Sequence, residues 1–166
     1  MHRPRTLLAT AALVLVALIN PTAASATTPP ATAMQERVED IIDEYGGVQT
    51  GWNEVAWDEG AIILTIDPDD STLAGTVSAR AEVARDNCAA GKYCAYGKAG
   101  YGGNKLTYSA CPATHTSFSI IGSPRSIKNN RTSGTVKAYN GSTLKTTLTA
   151  GNGNSNTTGV TKITCT

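Results

Sequence analysis

"CAAGKYCAYGKAGYGG", residues 88–103, holds two cysteines, three tyrosines and five glycines. Three uses compete for such a stretch: a reactive centre, a metal loop, or folding code. The spacing of Tyr96, Tyr101 and Gly103 favours the third. A hairpin folded back onto its own sheet needs an aromatic ring as a lid, and it needs a glycine where the chain passes through positive φ. Gly97, Gly100 and Gly102 add turn freedom around that point.

From Asn87 onward glycine, serine, threonine and asparagine dominate, broken by short β-branched runs. Candidate strands are residues 93–97, 105–109, 126–129, 135–139, 145–148 and 161–165. Turn residues separate them at short spacing, which predicts a compact antiparallel sandwich. Ala95-Tyr96 is answered by Ala138-Tyr139, a weak internal repeat that suggests two related halves. All four cysteines, Cys88, Cys94, Cys111 and Cys165, lie in this part of the chain. In an exported protein an even count reads as disulfides. Four cysteines permit three pairings; the spacing favours Cys88 with Cys94 as a local clip and Cys111 with Cys165 as a tie to the chain end.

The N-terminal part reads differently. Residues 1–26 combine His2, Arg3 and Arg5, an apolar run over 7–19, and Ala24-Ser25-Ala26. This is the layout of a cleaved secretory signal, and the run is too short to span a bilayer. Residues 27–33, with Pro29-Pro30, are expected to be a disordered leader. An acidic helix-plus-hairpin element is expected over 34–67. Its helix, 34–45, places Met34, Val38, Ile41, Ile42 and Tyr45 on one face and stops at Gly46-Gly47. Its hairpin, 53–66, turns at Asp58-Glu59-Gly60. Residues 68–86 read as a linker, of which 79–87 suit a short helix equally well, and residues 87–166 as a basic domain.

Charge is segregated along the chain. Residues 27–86 carry three cations against thirteen carboxylates, and residues 87–166 carry nine cations and no carboxylate side chain. The two parts can neutralise each other, or the basic part can seek an anionic surface.

At residues 88–103 the chain resembles the opening Greek-key motif of βγ-crystallin-like proteins. More closely, it resembles the secreted metalloprotease-inhibitor family of actinomycetes, which has that fold. The Cys-x5-Cys clip of Cys88 and Cys94, the pair Ala95-Tyr96, the run Tyr101-Gly102-Gly103, the later Cys111 and "SIKNN" over 126–130 carry the resemblance. It implies a mainly β, two-motif Greek-key sandwich, a non-catalytic role and an extracellular protease as partner. Two departures stand out. The best-understood inhibitors brace their inhibitory loop with a close cysteine pair in the second half, where this chain has Cys165 alone, so no reactive bond is assigned. Many βγ-crystallin domains bind calcium, but "NNRTSG" over 129–134 lacks the final serine of the pattern and this half offers no carboxylate. No cofactor or metal is therefore expected.

Enzyme classes find little support. Beyond the signal the chain has one histidine, His115, with no carboxylate in the same half to orient it. The cysteine spacing does not suit zinc, and "GNGNSN" over 151–156 reads as a flexible turn rather than a phosphate loop. Two functions lead, beside the plainer reading of a secreted domain with no partner. The first is a secreted inhibitor that docks rigid loops, residues 97–104 and 113–124, with Lys98, Tyr101, Asn104, His115 and Phe118 as candidate contacts. The second is a cationic antimicrobial, killer-toxin-like or cell-surface-binding module with an acidic neutralising segment. A monomer is expected, and no element that reads nucleic acid is visible.

Overall fold

The structure is a computed structural model that describes residues 30–68 and 87–166. The expected signal, residues 27–29 of the leader and residues 69–86 of the linker lie outside the described residues.

One helix, α1 (Pro30–Tyr45), precedes eleven strands: β1 (Val48–Gly51), β2 (Glu54–Trp57), β3 (Ile62–Thr65), β4 (Tyr93–Tyr96), β5 (Lys105–Tyr108), β6 (Ala113–His115), β7 (Ser126–Asn129), β8 (Thr135–Asn140), β9 (Thr143–Thr149), β10 (Gly153–Asn154) and β11 (Lys162–Cys165). The chain is mainly β, in antiparallel sheets consistent with a sandwich. The helix begins four residues before the expected start, taking in residues 30–33 of the leader. Proline is tolerated in a first turn, where its missing N–H has no intrahelical partner to lose. Met34 and Val38 are fully buried, Ile41 and Ile42 partly, and Tyr45 remains exposed. Gly46, at φ +70°, closes the helix by donating to Ile42 O at 2.8 Å.

The six expected strands of the basic part all form. Sequence reading missed β1, β6 and β10, which are short and carry little apolar signal. β10 lies inside the expected flexible turn and pairs with β7.

Two sheets result. The seven-stranded sheet runs β1-β2-β3-β5-β4-β7-β10 and the four-stranded sheet β6-β11-β8-β9. The acidic hairpin thus joins the same sheet as the basic strands. Strand β3 pairs with β5 over four positions, Leu64 facing Leu106. Val55, Leu64 and Ile66 share a core with Ile127, Val136 and Ile163. The burial explains the pairing: an exposed β5 edge beside an apolar "IILTI" would leave both uncovered.

Strand β4 is buried on both faces, and its alternation sorts the opening stretch. Tyr93 and Ala95 point into the main core. Cys94 and Tyr96 point the other way, into a small cluster with Cys88, closed by Tyr101. The disulfides are Cys88–Cys94 and Cys111–Cys165.

Candidate functional site

Residues 97–104 leave β4 and fold back over it. Gly97 N donates to Asn104 O and Lys98 N to Gly102 O, both at 2.9 Å. Tyr101 lies edge-on over Tyr96, centroids 5.5 Å apart and rings at 70°. It takes a φ of +64° to do so. Gly103 sits at φ +73°, and a Cβ there would come within 2.9 Å of Lys98 Cγ. Ser126 of β7 locks the hairpin from beneath: its hydroxyl donates to Lys98 O at 2.7 Å and accepts from Tyr101 N at 2.9 Å. Asp67, which follows β3, clamps it from the side. Its carboxylate accepts from Gly103 N, and its own N–H donates to Asn104 Oδ1.

Residues 113–124 begin in β6 and cross back through a short 3-10 turn, Ser119–Ile121. Phe118 is 5% exposed and Ile121 is buried, so both anchor the loop from below. Ser123 Oγ donates to Val160 O, and Thr157 Oγ1 donates to Pro124 O. Thr116, Ser117, Ser119, Gly122 and Ser123 face solvent.

The fold brings the two loops together. A Cβ added to Gly97 would come within 2.8 Å of Ile121 O, so only glycine allows this approach. Gly97, Lys98, Gly103, Asn104, Ile120 and Ile121 line one shallow cleft of about 200 Å³. Ile120 also walls a second, of about 360 Å³, with Tyr45, Trp57, Ile62, Tyr108 and residues 114–117. Trp57 Nε1 donates to Tyr45 O at 3.1 Å and holds that end of the helix in place.

His115 forms part of the second cleft and is half-buried. Its ring stacks on Tyr108 at 4.0 Å, and its Nε2 lies 2.8 Å from Tyr93 Oη. Burial lowers its pKa, opposed by the charge of Asp58. Burial also pushes the Tyr93 hydroxyl up to about 12, opposed by Arg131, and raises that of Tyr108, which the nearby Tyr93 raises further. Lys105 is lowered by burial and held up in part by Glu54. No carboxylate among the described residues hydrogen-bonds to His115. The arrangement offers a contact surface with fixed polar groups.

Of the candidate contacts, Lys98 is exposed beside the shallow cleft and His115 lines the larger one. Asn104 lines the shallow cleft while its Oδ1 is held by Asp67. Tyr101 is half-buried as the lid on Tyr96, and Phe118 lies beneath its loop as an anchor rather than a contact. Sequence reasoning missed Asp67, Ser126, Tyr45 and Trp57. The first two act only through atoms distant in the chain. Tyr45 is one of the helix-face residues of the acidic element, and Trp57 lies in its hairpin.

"NNRTSG" has a structural use. Asn129, fully buried, donates through Nδ2 to Leu148 O and Gly134 O and accepts at Oδ1 from Arg131 N. Asn130 Nδ2 donates to Cys88 O.

Residues 81–150 match the model of peptidase inhibitor family I36. That span covers both loops and stops before β10 and β11. Over that span the chain is similar to a family of peptidase inhibitors. The two disulfides agree with an extracellular protein. No curated protein and no solved structure matches the chain. The family I36 match leaves out α1 and β1–β3, which contribute Tyr45, Trp57 and Ile62 to the larger cleft.

Proposed function

We propose that this protein is a secreted inhibitor of extracellular metalloproteases that docks through residues 97–104 and 113–124 as one surface. The observation that carries the reading is the contact between the two loops: Gly97 against Ile121 O, with Ile120 shared by both clefts. Each loop is pinned by side-chain bonds to segments distant in the chain, so little conformational entropy is lost on docking. Export follows from the N-terminal signal read in residues 1–26. The two-motif Greek-key fold of βγ-crystallin-like proteins belongs to the same proposal. Its support is the strand order: β4 lies between β5 and β7, β8 between β9 and β11, and β6 and β10 each cross to the opposite sheet.

The test is an inhibition assay of the purified protein against a thermolysin-like zinc protease and a subtilisin-like serine protease. Stoichiometric inhibition of the zinc enzyme is expected, weakened about tenfold or more by Lys98→Glu with Ser119→Arg, since bulk and charge at the centre of an interface cost most. No inhibition of the zinc enzyme at large molar excess overturns the reading.

A further inference from the structure

Apart from Thr114 at its β6 edge, the outer face of the four-stranded sheet takes no part in the surface described above. Its residues follow from register and burial. Val136, Ala138, Leu148, Ile163 and Cys165 point inward and are buried. The alternate positions therefore point outward. One row crosses all four strands: Thr114 faces Thr164, Thr164 faces Lys137, and Lys137 faces Thr147. In the next row Lys162 faces Tyr139, which faces Leu144. Lys145 is the extra residue of the bulge beside it and is exposed. Thr135 and Thr149 extend the face at its far end.

Two features bear on what this face can bind. Its cations are Lys137, Lys145 and Lys162, and among the described residues no carboxylate pairs with any of them. All nine carboxylates in residues 30–68 belong to the acidic element, whose strands form the β1 end of the other sheet. Second, the ring of Tyr139 is already covered, with Lys162 Nζ 4.5 Å from its centroid. Tyr96, its counterpart in the internal repeat, is covered by Tyr101 instead.

We propose that this face is a docking surface for an extended, carboxylated polysaccharide. Charge complementarity selects an anion. Lysines set among threonines match a chain that carries one charge among several hydroxyls, because each threonine hydroxyl both donates and accepts. Neighbouring strands lie about 4.8 Å apart, comparable with the length of one sugar ring, so successive sugars meet successive strands. A lipid surface fits less well, since Leu144 is the one large apolar side chain exposed here. Single-stranded nucleic acid would need an open aromatic platform, and Lys162 covers Tyr139, the one ring among the described residues of this face.

The experiment measures binding of the full chain to polygalacturonate by affinity electrophoresis, at low and at near-physiological salt. Binding is expected at low salt and is expected to weaken steeply as salt screens exposed charges. The double variant Lys137→Gln with Lys162→Gln is expected to lose about tenfold in affinity, the size of two exposed ion pairs. Thr147→Glu, on the exposed β9, places a carboxylate in the row and is expected to abolish binding with an unchanged melting temperature. Lys92→Gln with Arg125→Gln removes the same charge near strands of the other sheet and is expected to bind as the parent does. The proposal is overturned by no binding, or by equal loss in both double variants. Tighter binding to phosphatidylglycerol vesicles or single-stranded DNA also overturns it. So does low-salt self-association that disappears with Lys137 and Lys162, which would make a second copy the occupant.

Discussion

Ser126 is completely buried, yet its hydroxyl serves Lys98 O and Tyr101 N, two backbone groups of a loop more than twenty residues away. Ser126→Ala removes both bonds beneath the folded hairpin and takes the acceptor from Tyr101 N–H. The expected cost is about 1–3 kcal/mol, the penalty for an orphaned buried polar group; urea unfolding measures it. His115 gives a pH dependence of definite sign. Its folded pKa lies below the usual 6.5 because burial disfavours the charged ring. Above pH 6.5 both folded and unfolded imidazoles are neutral, and stability is unaffected by this group. Below 6.5 the unfolded chain takes up the proton first, so stability falls, and it levels off once the folded ring is protonated too. The melting temperature is therefore expected to drop between pH 7 and pH 5, and His115→Gln should flatten that part of the profile.

At the scale of elements, the opening stretch was legible because its code is local. The lid Tyr101, the positive-φ Gly103 and the Cys88–Cys94 clip all act on β4 or the turn beside it. Strands β6 and β10 were hidden, since three residues or fewer carry too little periodicity to separate them from loop. Their pairing is decided by β11 and β7, far away in sequence. The Cys111–Cys165 bond closes 54 residues and ties β11 to the start of β6. Replacing both by serine is expected to cost about 4 kcal/mol in the chain-entropy account, read as a lower urea midpoint against the parent chain. In β3, Leu64 is fully buried against both β2 and β5. Leu64→Ala is expected to cost about 2–5 kcal/mol, the same range as for a core residue of the basic strands.

For the whole molecule, that equivalence has a consequence. The acidic hairpin supplies strands to the sheet, residues to the core, and the Asp67 clamp on the contact loop. A chain beginning at Asn87 is expected to aggregate or to lose cooperative unfolding, because it exposes the β5 edge and the core face that β3 and α1 cover. Calorimetry and light scattering on that shorter chain, beside the parent, check it; cooperative unfolding with an unchanged midpoint would show that the hairpin is dispensable.

By itself the sequence determined the local code: the clip, the lid, the helix face, the hairpin, most strands and the split of charge between two parts. Each rests on neighbours or on a short period, which side-chain chemistry fixes without reference to the rest of the chain. Only the tertiary structure decided that the acidic hairpin completes the basic sheet, that Gly97 meets Ile121 to join two loops into one surface, and that Lys137 and Lys162 share a row-by-row face with threonines. Those outcomes depend on register and on close approach between distant segments. Burial of apolar area drives such contacts without direction, so no single stretch encodes its partner.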